Sequence, residues 1–109
     1  EAIAWEVGPP QDTCDGRERC NTGQLAAVTG MPGVVFSGSL DGHLRAYSVE
    51  DGRVVWDYDT VNGTPGRGGS LSGPGPAVAN GHVYVVSGYA MWNLWMPGNV
   101  LIAFSVDGK

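Results

Sequence analysis

Apolar residues along this chain come in short runs, each closed by glycine, asparagine or an Asp-Gly pair. Inside the runs apolar and polar positions alternate with period two, as in His43–Ser48 and Arg53–Tyr58, the pattern of strands with one buried face. The pattern predicts strands at about Leu25–Val28, Val34–Ser37, His43–Ser48 and Arg53–Tyr58. Two tight hairpin turns are expected between them, at "SLDGH" and "VEDGR", because Asp-Gly accepts the positive φ that such turns require.

The pattern then repeats. An offset of 50 pairs Ala27-Val28 with Ala77-Val78, Val35 with Val85, and Ser37-Gly38 with Ser87-Gly88. After seven extra residues, Ala46-Tyr47-Ser48-Val49 matches Ala103-Phe104-Ser105-Val106, and Trp5 in "IAWEV" corresponds to Trp56 in "VVWDY". A unit of about 50 residues with four short strands is the signature of a β-propeller blade. The expected fold class is therefore all-β, a partial β-propeller of about two four-stranded antiparallel blades. Residues 1–8 are expected to supply the last strand of one blade, 22–60 a complete blade, and 74–109 three strands of the next. The second copy stops before its Trp, which predicts a chain ending inside a blade. Units of this kind bury their faces on neighbours. The isolated chain is expected to be marginally stable or aggregation-prone, and its parent several times longer.

Composition narrows the class. With 18 Gly, 7 Pro, 42% apolar and 16% charged residues, the chain is too apolar for disorder and too irregular in its glycines for collagen. A net charge of −5, with six scattered Lys and Arg, argues against a nucleic-acid partner. No apolar run has membrane-spanning length. The chain opens on Glu without an initiating Met or signal segment, as a mature or excised piece would. Cys14 and Cys20 suit a local disulfide formed in an oxidising compartment, and no second Cys or His pair completes a zinc site.

"GSLDGHLRAYSVEDGRVVW" resembles the pyrroloquinoline quinone (PQQ) repeat, with Gly42, Leu44, Ala46, Gly52 and Trp56 in the expected places. Ser48 stands where that pattern has Asp, and Asp51 where it has Thr. The resemblance implies that the Trp docks on the neighbouring blade near the Ala. "CNTGQLAAVTGMPGVVFSGSLDGHLRAYS", "WDYDTVNG", "RGGSLSGPGP" and "GNVLIAFS" together are similar to the C-terminal part of the polyvinyl alcohol dehydrogenase family, over about residues 12–108. That likeness implies a periplasmic or secreted bacterial quinoprotein with a propeller of about eight blades. It also implies bound PQQ, a divalent cation such as Ca²⁺, oxidation of alcohol or polymer hydroxyls, and electron transfer to a cytochrome c. No Cys-x-x-Cys-His haem motif occurs in the chain. The parent is expected to be the enzyme and this piece alone inactive. The alternative is a non-catalytic propeller scaffold of the outer-membrane assembly type, which fold alone does not distinguish.

Strand order sends three loops, at 14–21, 59–76 and 89–98, to one face of the propeller. In "TVNGTPGRGGSLSGPGP", Arg67 could pair with a PQQ carboxylate, and Gly68 and Gly69 would let backbone N–H groups approach an anion. Ser70 and Asn62 add neutral hydrogen bonds. These five residues are the expected cofactor contacts; the competing view is a glycine-rich connector. The cysteine pair either staples its loop or borders the cofactor. "YAMWNLWMPG" either grips an aliphatic substrate or packs against other propeller parts. His43 and His82 are expected to be solvated strand residues rather than ligands, Asp41 and Asp51 to serve their turns, and Asp57 and Asp59 to share one face. No general base or cation ligand is assigned.

Overall fold

The computed structural model describes residues 2–8, 13–14, 16–63, 66–73, 75–89 and 95–105. Its strands are β1 (Thr29–Met31), β2 (Val34–Gly38), β3 (His43–Ser48), β4 (Val54–Asp59), β5 (Ala77–Ala79), β6 (His82–Ser87) and β7 (Val100–Ser105). They form a four-stranded sheet in the order β1-β2-β3-β4 and a three-stranded sheet in the order β5-β6-β7, antiparallel throughout. The all-β class and the meandering blade order read from the repeat are both present.

One strand lies elsewhere than expected. The first strand is Thr29–Met31 rather than about Leu25–Val28, because Pro32-Gly33 makes the hairpin turn, with Gly33 at φ 88°. The ladder pairs Thr29 with Phe36 across it. Leu25 and Val28 are each 60% exposed, and the Ala27 N–H goes to the carbonyl of Gly73 instead of a sheet partner.

The turns also reset the repeat. Asn80-Gly81 in the second sheet corresponds to Pro32-Gly33, so Val34 aligns with His82 and Phe36 with Tyr84, an offset of 48 rather than 50. From β3 onward the offset of 57 holds, aligning Leu44 with Leu101 and Ala46 with Ala103.

Phe36, Leu44, Ala46, Leu71, Val83 and Val85 form the buried core, with Val34, Trp56, Val78, Ile102 and Phe104 packed against it. Its composition follows from strand alternation. Phe36, Ala46 and Trp56 face each other across β2-β3-β4, and Val83 and Phe104 do so across β6-β7. A bulge between Ala46 and Tyr47 makes Val55 the extra residue of β4 and keeps Trp56 on the core face. Trp56 then meets Phe104 of the second sheet edge-on, ring centroids 5.1 Å apart. That contact is the inter-blade docking implied for this Trp. Residues 2–8 form no assigned strand, yet Trp5 Nε1 donates to the Val49 carbonyl at 2.7 Å. Its ring lies where a Cβ on Gly52 would come within 2.5 Å of it.

Candidate functional site

The ends of β2, β4 and β6 and the starts of β3 and β7 lie at one edge of the two sheets, and the loops joining them pack together there. The Thr60 N–H and Oγ1 both donate to the Gly42 carbonyl, at 2.9 and 2.5 Å, tying the end of β4 to the β2-β3 turn. Leu71 N–H donates to Ser39 O at 3.0 Å, and Ser70 Oγ donates to Leu40 O at 2.5 Å. Ser70 and Met96 exchange a reciprocal pair: Ser70 N–H to Met96 O, and Met96 N–H to Ser70 Oγ, each 3.0 Å. The Arg67 carbonyl accepts from Asn99 N–H at 2.8 Å. Residues 60–63, 66–71, 87–88 and 96–99 thus make one backbone-knitted platform.

Small residues are required for so close an approach. A Cβ on Gly98 would lie 2.5 Å from the Arg67 carbonyl oxygen, and one on Gly42 would meet both Val61 and the Gly69 carbonyl. Thr60, Ser70 and Ser87 are essentially inaccessible to solvent, and each hydroxyl is bonded. Buried polar groups satisfied in this way rigidify what they hold.

The expected cofactor residues fall on this platform in two ways. Arg67 and Asn62 are exposed, whereas Gly69 and Ser70 are buried and Gly68 is half-buried. Asn62 Nδ2 donates to Asp59 Oδ2 at 3.0 Å. The Gly69 N–H is used by Ser87 Oγ and the Ser70 N–H by Met96 O. Among the described residues the Arg67 guanidinium forms no ion pair. In the third loop, residues 90–94 lie outside the described residues; Tyr89 is exposed, Trp95 half-buried, and Met96 buried against the platform.

Beside the platform lies a charge network. Asp41, at 0% exposure, accepts from Arg45 Nη2 at 3.0 Å, from the His43 N–H at 3.1 Å, and from the hydroxyls of Ser39 and Thr13. Arg45, also buried, reaches Asp57 Oδ2 through Nε at 3.1 Å. Burial pushes the Asp41 carboxyl up, but the bonds from Ser39, Thr13, Arg45 and His43 outweigh it and hold the pKa at about 2. Burial likewise disfavours the charged Arg45, and Asp41 more than restores it. Desolvation of Asp59 is overcome by the N–H and amide of Asn62 and the N–H of Val61, which lower it.

His43 departs from its expected role. Its ring is 15% exposed, with Nδ1 2.6 Å from Asp57 and Nε2 3.6 Å from Asp59. Those two carboxylates share a face, as the alternation of β4 requires, and the ring fills the space between them. Asp41 does more than serve its turn, and Arg45 was not singled out in the sequence at all. An arginine at a strand position flanked by Leu44 and Ala46, with an Asp four residues earlier, was the available signal.

Cys14 and Cys20 form the expected local disulfide, with Cα atoms 5.6 Å apart. It joins the same edge: Thr13 bonds Asp41, and Leu40 N–H donates to Gly23 O at 2.9 Å. Among the described residues no group of three or more His, Cys, Asp or Glu is arranged to hold a metal ion.

The fold has counterparts among solved structures. Quinohemoprotein alcohol dehydrogenase from Comamonas testosteroni superposes with TM-score 0.65 at 25% identity, over 92% of this chain and 14% of that one. The enzyme ADHIIG from Pseudomonas putida HK5 gives 0.59 at 27% identity, over 88% and 13%. The fold is thus a segment of a quinoprotein β-propeller. No family model matches the chain.

Sequence relatives refine that class. A polyvinylalcohol dehydrogenase of Pseudomonas sp is 46% identical over 99% of the chain, and one from Sphingopyxis sp. (strain 113P3) is 37% identical over 98%. The chain belongs to the polyvinyl alcohol dehydrogenase-like group of PQQ proteins. It spans 19% of the length of these relatives.

Proposed function

We propose that the full-length protein is a PQQ-dependent dehydrogenase that oxidises alcohol hydroxyls, polyvinyl alcohol or secondary alcohols among them. The observation that carries this reading is 46% identity over 99% of the chain to a polyvinylalcohol dehydrogenase, together with loops packed into a single platform. Bound PQQ would supply the two-electron acceptor for taking an alcohol to a carbonyl compound, and a cytochrome c would be the onward acceptor. The residues of this chain suit a carboxylated cofactor: Arg67 offers an exposed guanidinium on a loop whose backbone is pinned by Asn99. In this reading Arg67 is the charged contact. Gly68, Gly69 and Ser70 bring and hold it at the cofactor's edge, and Asn62 adds an amide on the same loop. Calcium would take its ligands elsewhere in the full-length protein. The local disulfide and the family suit a periplasmic or secreted enzyme.

The test is to add PQQ and Ca²⁺ to the full-length protein and follow reduction of an artificial dye with polyvinyl alcohol or a secondary alcohol. Cofactor binding with turnover is expected; neither binding nor turnover would overturn the reading.

A further inference from the structure

Asp41 sits where separate chain segments meet. Its carboxylate receives the hydroxyl of Thr13, next to Cys14; Ser39 and the His43 N–H of its own turn; and Arg45 of β3, which extends to Asp57 of β4. The second repeat shows what a blade needs at these places. Val100 and Ile102 stand where His43 and Arg45 do, and Gly98 where Asp41 does. Ile102 packs against the core in the ordinary way. A blade therefore folds without an ion pair here, and buried ion pairs are seldom better for stability than well-packed apolar residues. The first sheet departs from the apolar pattern at the spot where the disulfide segment reaches it.

We propose that Asp41 is a positioning residue that latches the ring closed by Cys14–Cys20 onto the β2-β3 turn, acting through the Thr13 hydroxyl. Thr13 is gripped from both sides. Its hydroxyl goes to Asp41, and its carbonyl accepts from Arg17 Nη2, inside the ring, at 3.1 Å. Arg45, with Ser39 Oγ at 2.8 Å from Nη1, keeps the carboxylate aimed and charged. The latch fixes the ring beside the loop platform, and with it the burial of Cys14, 7% exposed. This inference stands independently of the cofactor assignment.

The experiment compares Thr13→Val and Thr13→Ser with wild type in the full-length protein. Reduction of the disulfide by dithiothreitol is followed by thiol labelling of Cys14 and Cys20, and amide hydrogen exchange of β3 is read in parallel. Losing a hydrogen bond to a charged group should raise ring opening, and hence the reduction rate, about tenfold in T13V. T13S keeps the hydroxyl and should be reduced at the wild-type rate, while β3 exchange stays unchanged in both. A wild-type reduction rate in T13V overturns the latch. So does T13S reacting as fast as T13V, or β3 exchange rising in step with reduction, which would mark general loosening of the sheet.

Discussion

Leu44 and Leu101 occupy the same place in two copies of one unit, yet Leu44 is 0% exposed and Leu101 65%. Phe36 at 9% and its counterpart Tyr84 at 37% show the same contrast. The cause lies in what each sheet faces. The Leu44 face of the first sheet is covered by Val83, Val85 and their neighbours on the second. The corresponding face of the second sheet, with Tyr84, Leu101 and Ala103, has no covering sheet among the described residues. The blade is thus a unit whose apolar faces are completed by others, and burial belongs to the stack rather than to the single repeat. The opposite faces differ in kind. In the second sheet that face carries Val100 and Ile102, in the first His43 and Arg45. What is scaffold in one copy has become a charged junction in the other.

The largest effect that would break or sharpen this comparison is at the paired leucines. Leu44→Ala should cost about 2–5 kcal/mol, the usual loss for a fully buried leucine. Leu101→Ala in the full-length protein should cost about as much, because another sheet would cover it there; a loss of about 0.5 kcal/mol or less, typical of exposed positions, would refute that. Chemical denaturation of both variants measures the difference.

Next comes acid. The Asp41 carboxyl is ordinarily at 3.8 and folds at about 2, so the folded state resists the proton that the unfolded chain accepts. Its contribution is present above about pH 4 and is lost as pH falls through about 2, up to about 2 kcal/mol in all. Asp41→Asn should flatten the stability profile between pH 4 and pH 2. An unchanged acid limb would mean that the charged junction does not discriminate the two copies energetically.

The smallest is at Gly52, φ 76°, where Trp5 lies against the turn. Gly52→Ala adds left-handed strain of about 1–2 kcal/mol and displaces the indole. Trp5 fluorescence should shift with it, and unaltered emission would argue against that docking.

Much of the scaffold was legible in the sequence because turn chemistry and period-two alternation are local. Asp-Gly at 41–42 and 51–52 marked the two hairpin turns that flank β3, whereas the docking of Trp56 followed from the resemblance to the PQQ repeat. The first strand lies further along the chain than the alternation suggests because Pro32-Gly33, also a turn signal, sets the register of β1, as Asn80-Gly81 does that of β5. The charge junction was legible only in part. Asp57 and Asp59 were placed on one face by alternation. The burial of Asp41 and Arg45 depends on Thr13, distant in sequence, and on the loop platform above them. Asn62 and Arg67 stand exposed at that platform, Asn62 with its amide on Asp59. Gly69 and Ser70 use their N–H groups within it, a role set by tertiary neighbours that glycine content alone does not reveal.

Titration calorimetry of PQQ into the full-length protein, wild type and Arg67→Ala, tests the functional centre most directly. Loss of a charge-assisted hydrogen bond predicts affinity lower by about ten- to a hundredfold, with the melting temperature unchanged because Arg67 is exposed. Equal affinity in the two proteins would contradict the placing of the cofactor at this loop.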